Sequence, residues 1–148
     1  MADGPDSPAA LKTRALRLLV RREHSRAELG RKLAPHAESA QALEAVLDLL
    51  LSKRQQSDHR FAEERARVLG RKYGAARIRH DLKARGVADA VIERVPLQDE
   101  AQRARAILLR KFPAACASGE ERARRARFLQ GRGFSYDVVV TVLKDEKT

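Results

Sequence analysis

Tryptophan is absent from this chain, cysteine occurs once, and aromatic residues make up only 4% of its 148 positions. The single thiol, Cys116, excludes an intramolecular disulfide and suits a reducing compartment, so a cytoplasmic location is expected. With so few rings, the core must be assembled from Leu, Val, Ile and Ala. No run of about 18 apolar residues occurs, which excludes a membrane-spanning helix. No segment sustains apolar–polar alternation, so no sheet is expected. The glycine-rich patterns that cradle nucleotide phosphates are missing. His24, His36, His59 and His80 lack metal-ligand spacing, and no Cys or carboxylate cluster joins them. No metal, no cofactor and no catalytic group is therefore expected. Met1 to Pro8 carries two Asp, two Pro and no hydrophobic run. It is unlike a signal peptide and reads as a short disordered tail.

What the chain does have is positive charge. Lys and Arg number 31 against 20 Asp and Glu, for a net charge of +11 and an isoelectric point near 10.6. An anionic partner follows: nucleic acid, an acidic protein face or membrane head groups.

It also has a repeat. Leu33, Leu82 and Leu129 lie 49 and 47 residues apart, and each is followed ten residues later by an apolar position, at Leu43, Ile92 and Val139. A period of that size, filled with helix formers, marks stacked supersecondary units that close a core only together. The fold expected is all-α: three tandem three-helix repeats forming an elongated curved array. The repeats are placed at 9–54, 57–96 and 98–148, after the tail at 1–8. Capping boxes at Ser25 to Glu28 and Ser118 to Glu121 open helices. Asp58 and Ser135 are read as N-caps and Gly74 as a left-handed helix end. Gly131-Arg132-Gly133 is read as a helix stop needing positive φ. Tyr73 and Phe112 fall on core stripes, whereas Phe134 and Tyr136 flank a cap and are candidates for exposure.

The basic residues gather into stripes. Arg17 and Arg21 share a side of the first helix, joined by Arg14, and Arg60, Arg67 and Arg71 follow one another on the fourth. Arg77, Arg79 and Lys83, with Arg85, crowd the fifth, and Arg124 and Arg127, with Arg122 and Arg125, crowd the eighth. Such stripes track phosphates or acidic side chains through long-range attraction and forked contacts. The candidate binding surface is Arg17, Arg21, Arg60, Arg67, Arg71, Arg77, Arg79, Lys83, Arg124 and Arg127.

Four stretches together resemble one family. They are Arg22-Glu23-His24-Ser25-Arg26-Ala27-Glu28-Leu29, Asp58 with Phe61-Ala62-Glu63, Ile78-Arg79-His80-Asp81-Leu82-Lys83-Ala84-Arg85-Gly86-Val87, and Arg127-Phe128-Leu129 with Arg132-Gly133-Phe134-Ser135-Tyr136-Asp137-Val138. In this order they are similar to the regulatory protein RecX family, which departs from this chain at Pro35-His36-Ala37 and at Arg65. The resemblance implies an all-helical protein that binds the RecA recombinase filament on DNA, restrains its ATPase and strand exchange, and binds DNA weakly and without sequence preference. A monomer with no membrane partner is expected. The other reading of the charge is an autonomous DNA-binding module such as a helix-turn-helix regulator, which would ordinarily need one recognition helix and a dimer face.

Overall fold

The computed structural model describes residues 4–145. Among them are nine α-helices and no strand: α1 (Pro8–Arg21), α2 (Arg26–Leu33), α3 (Ala40–Ser52), α4 (Asp58–Leu69), α5 (Ala75–Ala84), α6 (Asp89–Glu93), α7 (Glu100–Lys111), α8 (Gly119–Gly131) and α9 (Tyr136–Asp145). A short 3-10 turn, Ala34–His36, holds Pro35 just after α2. Leu33, Leu82 and Leu129 lie on α2, α5 and α8 and are all fully buried. The periodicity therefore marks core positions of successive three-helix repeats.

Caps decide where several helices begin. The Ser7 hydroxyl accepts from the Ala10 N–H, and Pro8 fills the first turn of α1, where its missing N–H costs nothing. At Ser25 both halves of the capping box form: the hydroxyl accepts from the Glu28 N–H at 3.0 Å, and Glu28 accepts from the Ser25 N–H at 3.1 Å. The second box is only half built. Ser118 accepts from the Glu121 N–H, but the Glu121 carboxylate turns to the Ala117 N–H at 2.9 Å. Replacing Ser118 with Ala is expected to cost about 1 kcal/mol; an unmoved denaturation midpoint would contradict that. Asp58 is not the cap of α4. Ser57 accepts from the Arg60 N–H instead, and the Asp58 carboxylate accepts from the Arg26 N–H and the Gln56 side chain.

The chain divides into two compact units, one of Met1–Glu64 with Leu82–Val95, the other of Arg65–Asp81 with Pro96–Thr148. In the first, α1, α2 and α3 pack on one another around Leu11, Ala15, Leu29, Leu33, Val46, Leu47 and Leu50. Of the tail expected over 1–8, residues 1–3 lie outside the described residues. Asp6 donates its N–H to the His36 carbonyl and pairs with Arg14 at 2.8 Å.

The second unit packs α7, α8 and α9 around Ala104, Ile107, Leu108, Leu129, Val139, Val142 and Leu143. Phe134 joins this core at 4% exposure, contrary to the expectation that it is a surface ring. The turn after α8 explains this: Gly133 takes φ +96° and the Phe134 N–H returns to the Leu129 carbonyl, which tucks the ring inward. Tyr136 is 71% exposed, as expected. Phe112 and Phe128 meet edge to face at 5.6 Å and are half-buried.

Candidate functional site

Arginine plays two different roles in this molecule. Some guanidiniums are structural. Arg125, in the basic stretch of α8, is 1% exposed. It donates to the Ala114 carbonyl and to Glu121, and lies 5.0 Å from the Phe112 ring centre, so it closes the 112–118 loop onto α8. Arg122 donates to the Leu143 carbonyl. Arg103, which no basic stripe singles out, donates to the carbonyls of Gly70 and Tyr73 and pairs with Glu100 at 2.7 Å. Glu100 in turn accepts from the Ala75 N–H at the start of α5. Together these bonds fix the 70–75 turn to α7.

All ten candidate surface residues are exposed. Several are nevertheless engaged. In the first unit Arg60 pairs with Glu23 at 3.0 Å and donates to the Arg54 carbonyl, and Lys83 sits 3.8 Å from Asp89. Arg17 and Arg21 on α1 make no ion pair among the described residues. In the second unit Arg124 stands 3.9 Å from Glu121 and, with Arg127, borders a recess that also contains Glu120. Carboxylates in that recess make it a poor seat for an anion. Arg67 and Arg79 are exposed as well, on α4 and α5.

Arg71 lines a groove in the second unit, and Arg77 lies against the Tyr73 ring of that groove. The turn after α4 carries Arg71, Lys72 and Tyr73. It faces the end of α7, with Arg110 and Lys111, and the α8–α9 turn, with Arg132, across an open groove of about 690 Å³ floored by Ile107 and Phe128. Two backbone bonds hold the edges in register: Gly74 donates to the Arg132 carbonyl at 2.7 Å and Ala76 to the Gly133 carbonyl at 3.2 Å. Gly74 is not a left-handed helix end. Its glycine is required by contact, because a Cβ there would lie 2.5 Å from the Gly133 carbonyl oxygen. Arg77 lies 4.5 Å from the Tyr73 ring centre and donates to the Gly131 carbonyl, while Arg132 lies 5.4 Å from Tyr73 and 5.1 Å from Phe128. Lys72, Arg110, Lys111 and Arg132 were not legible as site residues. Each falls at a helix end or in a turn, off the helical stripes, and only the approach of turns distant in sequence brings them together.

No His, Cys, Asp or Glu group among the described residues is arranged to hold a metal ion. His24 is buried, donates from Nδ1 to the Arg22 carbonyl at 3.0 Å, and meets the Lys32 side-chain nitrogen at Nε2 at 3.0 Å. Burial pushes its pKa down, which favours the neutral ring. It is a packing residue of the α1–α2 turn.

Family models described as the second and third three-helix domains of RecX match residues 57–95 and 98–143. A curated regulatory protein RecX of Ralstonia nicotianae is 44% identical over 143 residues, covering 95% of this chain and 90% of the relative. This chain belongs to the RecX family. A second relative of that name, from Chromobacterium violaceum, is 44% identical over 135 residues, covering 90% of this chain and 89% of its own. The crystal structure of RecX from Lactobacillus salivarius is similar with a TM-score of 0.82 at 18% identity, over 95% of this chain and 96% of that one. RecX is a family of regulatory proteins. No helix among the described residues is long and apolar enough to cross a membrane.

Proposed function

We propose that this chain is a cytoplasmic regulator that binds the RecA recombinase filament on DNA and mostly inhibits its ATPase, strand exchange and growth, with no chemistry of its own. The observation that carries the reading is family membership over nearly the whole chain. The net charge of +11 and the exposed cations of both units support an anionic partner surface. A monomer acting on a polymeric partner requires no dimer face of its own.

The test is DNA-dependent ATP hydrolysis by the host recombinase, titrated with the purified chain. Hydrolysis and strand exchange are expected to fall, and binding to weaken steeply with salt as counterions are released. The double reversal Arg67→Glu/Arg71→Glu is expected to weaken filament and DNA binding while the helical signal and melting midpoint stay close to the parent's. Unchanged ATPase at micromolar excess, together with retained DNA binding, would favour an autonomous DNA-binding regulator instead.

A further inference from the structure

The groove of the second unit gathers several cations around one recess that holds no acid. Many guanidiniums elsewhere find carboxylates: Arg14 with Asp6, Arg22 and Arg85 with Glu28, Arg26 with Glu44 and Asp48, Arg65 with Asp81. The groove cations Arg71, Lys72, Arg110, Lys111 and Arg132 have no carboxylate partner among the described residues, and no acid lines the groove. Five uncompensated cations around one recess repel one another, a cost that a bound polyanion would remove.

We propose that this groove seats a run of consecutive phosphates of a nucleic-acid backbone and reads it without its bases. This rests on the reading above only in taking nucleic acid as part of the partner. The rings decide against base stacking. The Tyr73 ring is flanked by the guanidiniums of Arg77 and Arg132, and Phe128 by Arg132 and the edge of Phe112. These rings orient arginines rather than stack bases, unlike the exposed platforms of single-strand binders. An arginine held over a ring presents its fork with less rotamer freedom to lose on binding. Arg110 is further fixed by donation to the Arg71 carbonyl, so the two sides of the groove are tied at one end. The groove thus offers preset forked donors to phosphate oxygens, with the two lysines as mobile point charges at its margins.

The experiment measures binding of the full chain to a fluorescent single-stranded oligonucleotide of mixed sequence, to an abasic strand with the same number of phosphates, and competition by inorganic polyphosphate and by polyglutamate. The abasic strand is expected to bind within about threefold of the normal one, since backbone charge carries non-specific affinity. Lys72→Ala/Lys111→Ala is expected to weaken both strands about tenfold at low salt and to reduce the salt slope by about 1.4, or roughly 0.7 per lost phosphate contact. The control Arg31→Ala/Arg94→Ala removes the same charge from exposed positions of the first unit and is expected to stay within about threefold of the parent. The proposal is overturned if base removal abolishes binding, if both double variants weaken equally, or if polyglutamate competes as well as the abasic strand at equal charge. Polyphosphate binding much tighter than either strand would assign the groove to that polymer and also overturn it. Should the groove variant lose nucleic acid yet still inhibit recombinase ATPase, the groove assignment stands and the regulatory contact lies elsewhere. Loss of ATPase inhibition in the parent, with base-blind binding intact, separates the two the other way.

Discussion

Replacing Glu28 with Ala is expected to destabilise the protein by about 2–4 kcal/mol. Glu28 is 5% exposed, and four donors converge on its carboxylate. Arg22 approaches in a fork at 3.1 and 3.2 Å, Arg85 at 2.6 Å, and the Ser25 N–H at 3.1 Å. Ser25 adds a bond of its own to the Arg85 carbonyl, so one carboxylate ties the start of α2 to the end of α1 and to the turn after α5. Breaking a fully buried ion pair typically costs about 3–5 kcal/mol. The value here is set lower because the side chains of Arg22 and Arg85 keep 44% and 31% exposure and can be rehydrated. Glu28→Gln keeps an acceptor for the Ser25 N–H and should cost about half as much. Urea denaturation of the three proteins checks the order: parent, then Gln, then Ala. Equal midpoints for Gln and Ala would show that charge, not the cap, carries the whole effect, and an unmoved Ala midpoint would refute the network.

The same carboxylate sets an acid limit. Burial pushes the Glu28 pKa up, but the hydrogen bonds from Arg22, from the Ser25 backbone and from Arg85 outweigh it and hold the group at about 2. The folded value lies below the ordinary 4.5 of a free glutamate, so the unfolded chain binds the proton first. The stabilisation is complete above about pH 4.5 and is lost as pH falls from there to about 2. Glu28→Gln removes the titration, so its stability should change less over that interval than the parent's.

This network also explains what was legible in the sequence and what was not. The Ser25 to Glu28 box was visible as spacing, because a capping box is local. That Glu28 would also gather Arg22 and Arg85 was not visible, since the Arg85 contact spans 57 residues. The repeat leucines were legible because burial repeats with the period. Phe134 was misplaced because the Gly133 turn, not the helical pattern, directs it. Arg125 looked like its basic neighbours, and only the fold separates a guanidinium facing loop carbonyls from one facing solvent. Arg65, which departs from the resembling family's pattern, forks onto Asp81 at 2.9 and 3.2 Å. Helical stripes located Arg71 but could not join it to Arg110, Lys111 and Arg132, which reach the same groove from the end of α7 and from the α8–α9 turn.

Gly74→Ala is expected to cost about 3–5 kcal/mol and to weaken polyanion binding in the same variant. The methyl would stand 2.5 Å from the Gly133 oxygen and 2.6 Å from both the Gly133 carbonyl carbon and the Phe134 nitrogen. All three are backbone atoms, so no side chain can swing aside. Gly133 is packed as closely on the start of α5, where a Cβ on it would lie 2.6 Å from the Arg77 Cβ. Relief must come from separating the two turns, which breaks the bonds from Gly74 to Arg132 and from Ala76 to Gly133, each worth about 1 kcal/mol. Separation carries Arg71, Lys72 and Tyr73 away from Arg132, so the Arg132 guanidinium loses one of its two rings. Gly131→Ala is the matched control. It lies at the end of α8 with nothing within 4 Å of its added Cβ, and replacing glycine there should leave stability unchanged or raise it by up to about 1 kcal/mol. Thermal midpoints and strand affinities of the two variants decide the matter. If Gly74→Ala melts with the parent and binds as well, the contact between the turns is not what shapes the groove. If it melts early while binding survives at a temperature where it is folded, the groove does not depend on the register of its edges.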